Sequence, residues 1–263
     1  MMKSKKRISS ITILKVICMI TLLMFPMMSF WGNYMAKSLH YDDIIDNFEF
    51  GYVLAVEKDV EYPFLYHSSS WEFSKKLYET DEQIETLSDL EKNAENVALV
   101  TMKDYEVSGE GLLAKFVVEE VIKSKIIKKQ DTIQIYDMVY SIDKQEEMIE
   151  DVERVRVKVN YVSGNLPLKK DEKYLVFFEK AINPADKNTY MYSSLRYGNF
   201  RIVENPIIQD NFDIWENQEI ADSKGLKEII QYDMLYFPSE EIDAKELKLY
   251  KEAYEKFKEY VTN

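Results

Sequence analysis

From residue 97 to residue 204, apolar residues rich in β-branched and aromatic types fall in strand-length runs at short spacing, separated by polar and turn residues, instead of recurring every three or four positions. The runs are "VALVTMKDYEV" (97–107), "GLLAKFVVEEVIK" (111–123), "TIQIYDMVY" (132–140), "VRVKVNYV" (155–162), "KYLVFFEKA" (173–181), "TYMYSSL" (189–195) and "NFRIVE" (199–204). "SGEG", between the first two, is a hairpin turn signal. This spacing leaves no room for helices of βαβ length. The expected fold is therefore mainly β with flanking helices (α+β), built on a small antiparallel OB-like β-barrel. Residues 141–154, "SIDKQEEMIEDVER", read as a charged excursion or a short helix.

Other periods flank the strand region. "YMAKSLHYDDIIDN" (34–47) reads as a juxtamembrane helix or linker, and "FEFGYVLAVE" (48–57) as a strand with Phe50, Tyr52, Leu54 and Val56 on one face. Residues 58–79 show no clear period. "TDEQIETLSDLEKNAEN" (80–96) predicts a helix: Thr80 caps the first turn, Gln83 completes a capping box, and Ile84, Leu87, Leu90 and Ala94 share a face. At the C-terminal end a short helix is expected around 223–233. A second, started by Pro238 and Ser239, carries a stripe of Leu247, Tyr250, Tyr254, Phe257 and Val261 that packs on the barrel, a partner-binding helix being the alternative.

The amino terminus has a different pattern. A basic run, "KSKKR", precedes an apolar segment whose uninterrupted part, Val16 to Trp31, is 16 residues long. A signal-peptide core is shorter and a membrane helix needs about 20 residues. Adding Ile11 to Leu14 reaches that length, because Lys15 can snorkel its ammonium toward the headgroups while Trp31 and Tyr34 sit at the outer interface. Cleavage after Gly32 or Ala36 would place Phe30 or Tyr34 at a position that needs a small residue. Cys18, the single cysteine, follows "KVI" and lacks a lipidation consensus, so it reads as one more apolar side chain of the anchor. Four regions follow: a basic flank and transmembrane anchor (1–33), a linker with an additional strand (34–79), the barrel (80–204) and a helical region packed on it (205–263). The positive flank places the N-terminus in the cytoplasm and the body outside the cell membrane; secretion after signal cleavage is the alternative.

Charge narrows the partners. Of 34 basic residues six lie in 1–37, where there is no acid, so residues 38–263 carry 28 basic against 47 acidic side chains, a net −19. Such a body repels phosphate backbones, so no nucleic-acid partner is expected. With its one cysteine inside the anchor, the body holds no disulfide and no thiolate metal cage.

"TLSDLEKNAENVALVTM", "FVVEEVIKS", "DTIQIY", "LPLKKDEKYLVFFEKA" and "YGNFRIV" together resemble a pattern found in uncharacterised extracytoplasmic bacterial proteins with an OB-fold-like, netrin-like barrel. The resemblance spans about residues 80–204 and implies a fold and a cell-surface setting. Ser124 and Asp171 stand where that pattern has glycine. Metalloproteinase inhibition by netrin-like domains needs an N-terminal cysteine and disulfides, so it is not implied here.

Candidate chemistry is sparse. His40 ("SLHYDD") and His67 ("LYHSSS") are the only histidines. His67 beside Ser68, Ser69 and Ser70 lacks a nucleophile elbow, and His40, Asp42 and Asp43 are too close in sequence to converge on a metal. Glu119 and Glu120 are adjacent on a strand and point to opposite faces. "DNFDIWENQEIAD" (210–222) lacks the order of a calcium loop, and "KSKIIKK" (123–129) reads as a solvated hairpin tip. No catalytic set, metal site or cofactor is expected. "SLRYGNF" (194–200) is the candidate binding loop, through Arg196, Tyr197 and Phe200, with a turn whose Tyr197 packs on the barrel as the plainer reading. The expected protein is a non-enzymatic, membrane-anchored extracytoplasmic binding or accessory protein whose partner is a protein or a surface polymer. The alternatives are an envelope hydrolase using paired carboxylates and a structural subunit of a membrane complex.

Overall fold

A computed structural model describes residues 39–53, 80–108, 111–137, 139–149, 152–162, 165–181, 188–194, 196–210, 225–236 and 240–260. In chain order its elements are α1 (Tyr41–Asn47), β1 (Glu49–Val53), α2 (Leu87–Asn93), β2 (Asn96–Ser108), β3 (Gly111–Lys123), β4 (Thr132–Tyr136), β5 (Val139–Ile149) and β6 (Val152–Val162). They continue with β7 (Lys173–Lys180), β8 (Thr189–Tyr192), β9 (Asn199–Arg201), β10 (Ile208–Asp210), α3 (Leu226–Ile229), β11 (Met234–Tyr236) and α4 (Glu240–Phe257). Among the described residues no helix is long and apolar enough to cross a membrane; the apolar N-terminal segment with Cys18 lies outside them.

Strands β2, β3, β4, β8 and β7 close into a barrel because β7 returns to pair with β2, and β9 continues the other edge of β7. The barrel is mixed, which corrects the antiparallel expectation: β4 and β8 run parallel, Ile135 opposite Tyr190. Spacing along the chain reports only on neighbouring strands, whereas this pair is joined by a crossover that contains β5, β6 and β7.

The barrel wall explains why some strands alternate and others do not. On β2, Ala98, Val100 and Met102 join the inner core while Val97 and Leu99 join a second cluster outside; on β7, Tyr174, Val176 and Phe178 point in while Leu175 and Phe177 point out. The outer cluster is capped by Leu87 and Leu90 of α2 and by Leu249, Tyr250, Ala253 and Phe257 of α4. Buried on both faces, these strands need continuous apolar runs, which is what "VALV" and "YLVFF" supply. Strand β3 is covered along its inner face, and on its outer face only at its start, where Leu113 is buried. Leu112, Ala114, Phe116 and Val118 are buried, while Lys115, Val117 and Glu119 are partly exposed, so its sequence alternates.

Three helical expectations are revised. The predicted 80–96 helix is split: a helical turn at 80–83 precedes α2, whose cap is Thr86, since Thr86 Oγ1 accepts from Asp89 N and the Asp89 carboxylate accepts from Thr86 N. That reciprocal box ties down the orphan amides of the first turn better than the Thr80 start would. The residues of 223–233 contribute only the short α3 before β11 pairs in parallel with β10. On α4 the buried stripe is Glu246, Leu249, Tyr250, Ala253 and Phe257; Leu247 and Tyr254 are half-buried, and Val261 lies outside the described residues. The stripe therefore packs on the barrel.

Of residues 141–154, those described, 141–149 and 152–154, lie in two paired strands, not a helix. Strands β5 and β6 pair from Val139↔Tyr161 to Ile149↔Val152, setting Asp143 opposite Lys158 and Glu147 opposite Arg154. Strand β1 adds to β6 in parallel, which assigns residues 49–53 to this second sheet and not to the barrel.

Candidate functional site

Before β7 runs a strap without regular structure, Asn165–Lys169, whose backbone at Leu168 and Lys169 is bound by tyrosine hydroxyls. Tyr105 Oη accepts from Leu168 N (2.8 Å), Tyr174 Oη accepts from Lys169 N (2.7 Å), and Tyr41 Oη donates to Leu168 O (3.0 Å) while accepting from Lys170 N (3.0 Å). The strap thus meets, with side chains, the backbone groups a buried loop must satisfy. Tyr41 stacks on Tyr105 at 5.6 Å with rings 4° from parallel, and the Lys170 ammonium lies 5.5 Å over the Tyr41 ring. Burial, the largest cause, pushes the Tyr41 phenol up to about 12. Where the strap turns into β7, Asp171 takes φ 62°, the left-handed region that suits glycine. It is the position at which the resembled pattern has Gly.

Beneath the strap, Tyr105 Oη donates to Asp137 Oδ2 at 2.6 Å, and Asp137 is 1 % exposed. Burial first, and the Asp137 charge second, push the phenols of Tyr105, Tyr161 and Tyr192 well above their ordinary values, so all three stay neutral and able to donate. Asp137 ends β4: its amide donates to Leu112 O, and β5 leaves in another sheet two residues later.

On the other side of the strap lies a second carboxylate, Asp233, whose side chain is 1 % exposed. Its Oδ1 accepts from Lys169 Nζ (2.5 Å) and pairs with Arg201 Nε (3.1 Å), its Oδ2 accepts from Ile207 N (2.8 Å), and its carbonyl accepts from Tyr250 Oη (2.8 Å). One residue so ties strap, β9, β10 and α4 together. Burial, the largest cause, pulls the Lys169 ammonium below its ordinary value, against the opposing pull of Asp233. Around this hub opens a cleft of about 30 Å³ lined by polar groups of the strap (Asn165), of β9 (Asn199, Arg201) and its preceding loop (Arg196), and of α4 (Glu246).

The predicted loop residues separate. Arg196 lines the cleft, whereas Tyr197 and Phe200, 2 % and 1 % exposed, are packed in the outer core, Phe200 edge-on to Tyr250 at 5.1 Å. Buried Asp81 positions the loop, accepting from Ser194 Oγ (2.6 Å) and Arg196 N (3.2 Å), while Ser194 Oγ accepts from Tyr197 N (2.8 Å). Gly198 is required by contact: a Cβ there would lie 2.6 Å from Tyr192 Cβ and 2.9 Å from Ser194 O.

The remaining candidates disperse. His40 Nδ1 meets Asp104 (2.9 Å), Asp42 meets Lys170 (3.2 Å), and Asp43 accepts from His40 N (3.3 Å), so "HYDD" spends its groups on different partners. Among the described residues no three His, Cys, Asp or Glu side chains gather to hold a metal. Glu119 accepts from Thr101 Oγ1 (2.8 Å) and Glu120 pairs with Lys129 (3.5 Å), so each has its own partner; the opposite faces expected from adjacency are not secured, because the register shifts here, Leu99 pairing with Glu120 and Val100 with Val118. His67, Ser68, Ser69 and Ser70, and all but the first residue of 210–222, lie outside the described residues. Sequence reading missed the strap tyrosines, Asp137 and Asp233; the usable signal was a lone acid inside the otherwise apolar run "TIQIYDMVY".

Compared with known proteins, the chain matches no family model and no curated sequence.

Proposed function

We propose that this chain is a membrane-anchored extracytoplasmic binding or accessory protein, non-enzymatic, whose OB-like barrel receives one polar group of a partner protein in the cleft beside Asp233. The cleft carries the reading. Its lining brings Arg196, Asn199 and Glu246 together on rigid elements, beside an Asp233 whose own carboxylate is taken up by Lys169, Arg201 and Ile207 N. A volume of about 30 Å³ is the share of one water molecule, enough for a carbonyl, carboxylate or hydroxyl and not for a whole ligand. The ring order β2-β3-β4-β8-β7, with its parallel β4–β8 pair, supports the OB-like assignment, and the left-handed Asp171 supports the resemblance to extracytoplasmic barrel proteins. The apolar N-terminal segment supports the anchor.

The envelope-hydrolase alternative gains one observation, since Asp233 and Glu246 both line the cleft. Magnitude weighs against it. A site for a sugar or peptide unit is typically about 300–1,000 Å³, roughly ten times this cleft or more, and Asp233 is already engaged by Lys169, Arg201 and Ile207 N. The test is cross-linking in cells through surface lysines, with mass spectrometry of what remains attached. A stoichiometric membrane or surface protein is expected. Turnover of an envelope substrate that disappears in Asp233→Asn or Glu246→Gln would reject the reading.

A further inference from the structure

The tip between β3 and β4 is built differently from the acidic body around it. Residues 121–130, "VIKSKIIKKQ", hold four lysines and no acid. At its apex Ile126 is 56 % exposed, while its neighbour Ile127 is buried in the inner core and anchors the turn. Scattered surface hydrophobes are ordinary. This one is held in place: Ser124 Oγ accepts from Ile126 N (3.0 Å) and Ile127 N (3.1 Å) and donates to Asn96 Oδ1 (2.7 Å), and Lys128 N donates to Asp131 (2.7 Å). Lys123 turns inward to cap α2, donating to Glu91 O (2.8 Å) and Ala94 O (2.5 Å). Lys125, Lys128 and Lys129 are left on the exposed surface around Ile126, Lys129 pairing loosely with Glu120 at 3.5 Å.

We propose that this tip is a second membrane contact, in which Ile126 inserts among the acyl chains of an anionic lipid surface and Lys125, Lys128 and Lys129 bind the headgroups. An apolar apex ringed by lysines matches that surface in both its layers, and a net −19 over residues 38–263 orients the rest of the body away from it. Each lysine adds roughly fivefold to affinity for an anionic bilayer.

The proposal goes beyond the anchored reading and does not rest on it. The test uses the full chain with Cys18→Ser and Ile126→Cys, labelled with the polarity-sensitive dye NBD, in nanodiscs of phosphatidylcholine with or without phosphatidylglycerol. Emission is expected to shift blue in the anionic discs alone, to revert on adding salt, and to stay aqueous when Lys125→Glu and Lys128→Glu are added. Aqueous emission in both discs, with the chain still incorporated, overturns the tip contact and leaves the anchor standing. A chain that enters neither disc removes the anchor; the labelled protein is then mixed with anionic vesicles, where a blue shift supports the tip and its absence overturns it. Salt-sensitive binding to a polyphosphate polymer without a blue shift on vesicles also overturns the lipid assignment.

Discussion

On the inner face of the β2–β7 wall, Ala98, Val100, Met102, Val176 and Phe178 share their core with Tyr41, Tyr105, Tyr161, Tyr174 and Tyr192; on the outer face, Val97, Leu99, Leu175 and Phe177 meet α2 and α4 through a largely hydrocarbon and aromatic cluster. Both faces are closely packed, and their polar groups do different work: the inner network runs from Tyr105 to Asp137 and to the strap at Leu168, while on the outer side Asp81 and Ser194 hold the loop before β9. The outer face joins helices to the barrel and tolerates any side chains that fill the space. The inner face also specifies where a loop must lie, because each hydroxyl answers one backbone group. The cleft sits where the two meet, with Leu168 from the strap, Tyr174 from β7 and Tyr250 and Glu246 from α4.

That contrast is open to direct attack. Phe178→Ala should cost about 3–5 kcal/mol, because a fully buried ring leaves a cavity in the closed barrel; chemical denaturation measures it, and hydrogen exchange should show both faces losing protection. Leu249→Ala, at about 2–5 kcal/mol, should instead loosen α4 and leave the amides of β3 and β4 protected. If it opens the whole barrel equally, the two faces are one cooperative unit.

Tyr105→Phe should cost about 1–3 kcal/mol by stranding the Asp137 carboxylate and the Leu168 amide, and the damage should appear in exchange at Leu168 and Lys169. Gly198→Ala, forced against Tyr192 and Ser194, falls in a similar range of about 1–3 kcal/mol and should disturb the Arg196 side of the cleft. Thr86→Ala removes a cap on the outer side only, costing about 1 kcal/mol, with added fraying at the start of α2.

The smallest effect is a pH dependence. Burial alone would raise the Asp104 carboxyl, but hydrogen bonds from Tyr41 N, His40 and Tyr105 N outweigh it and hold the group below its ordinary value. A depressed folded value means that the stabilisation is complete above the unfolded value, near pH 4, and is lost as pH falls through the lower folded one. Exchange at Ile44 and Ile45 of α1 should therefore accelerate below about pH 4, and Asp104→Asn should abolish that dependence.

The outer face was far more legible in the sequence than the inner one. Continuous runs at "VALV" and "YLVFF" and the stripe of α4 follow from burial patterns that local periodicity encodes. The closing β4–β8 pair, the β5–β6 pair and the strap follow from pairings distant along the chain, and no local period reports them. Of the loop singled out at a strand junction, Arg196 lines the cleft, while Tyr197 and Phe200 show how an aromatic signal arises from packing in the outer core. Asp233 was hidden in "IIQYDMLYF", where one acid among apolar residues gave no hint of Lys169 and Arg201.

Site-specific photocross-linking in intact cells tests the central claim most directly, comparing a photoreactive residue at position 199, at the cleft, with one at 115, on the solvent side of β3. The account predicts one discrete adduct from position 199, weakened by Arg196→Ala, and none from position 115. Equal adducts from both positions, or none from 199, would contradict it.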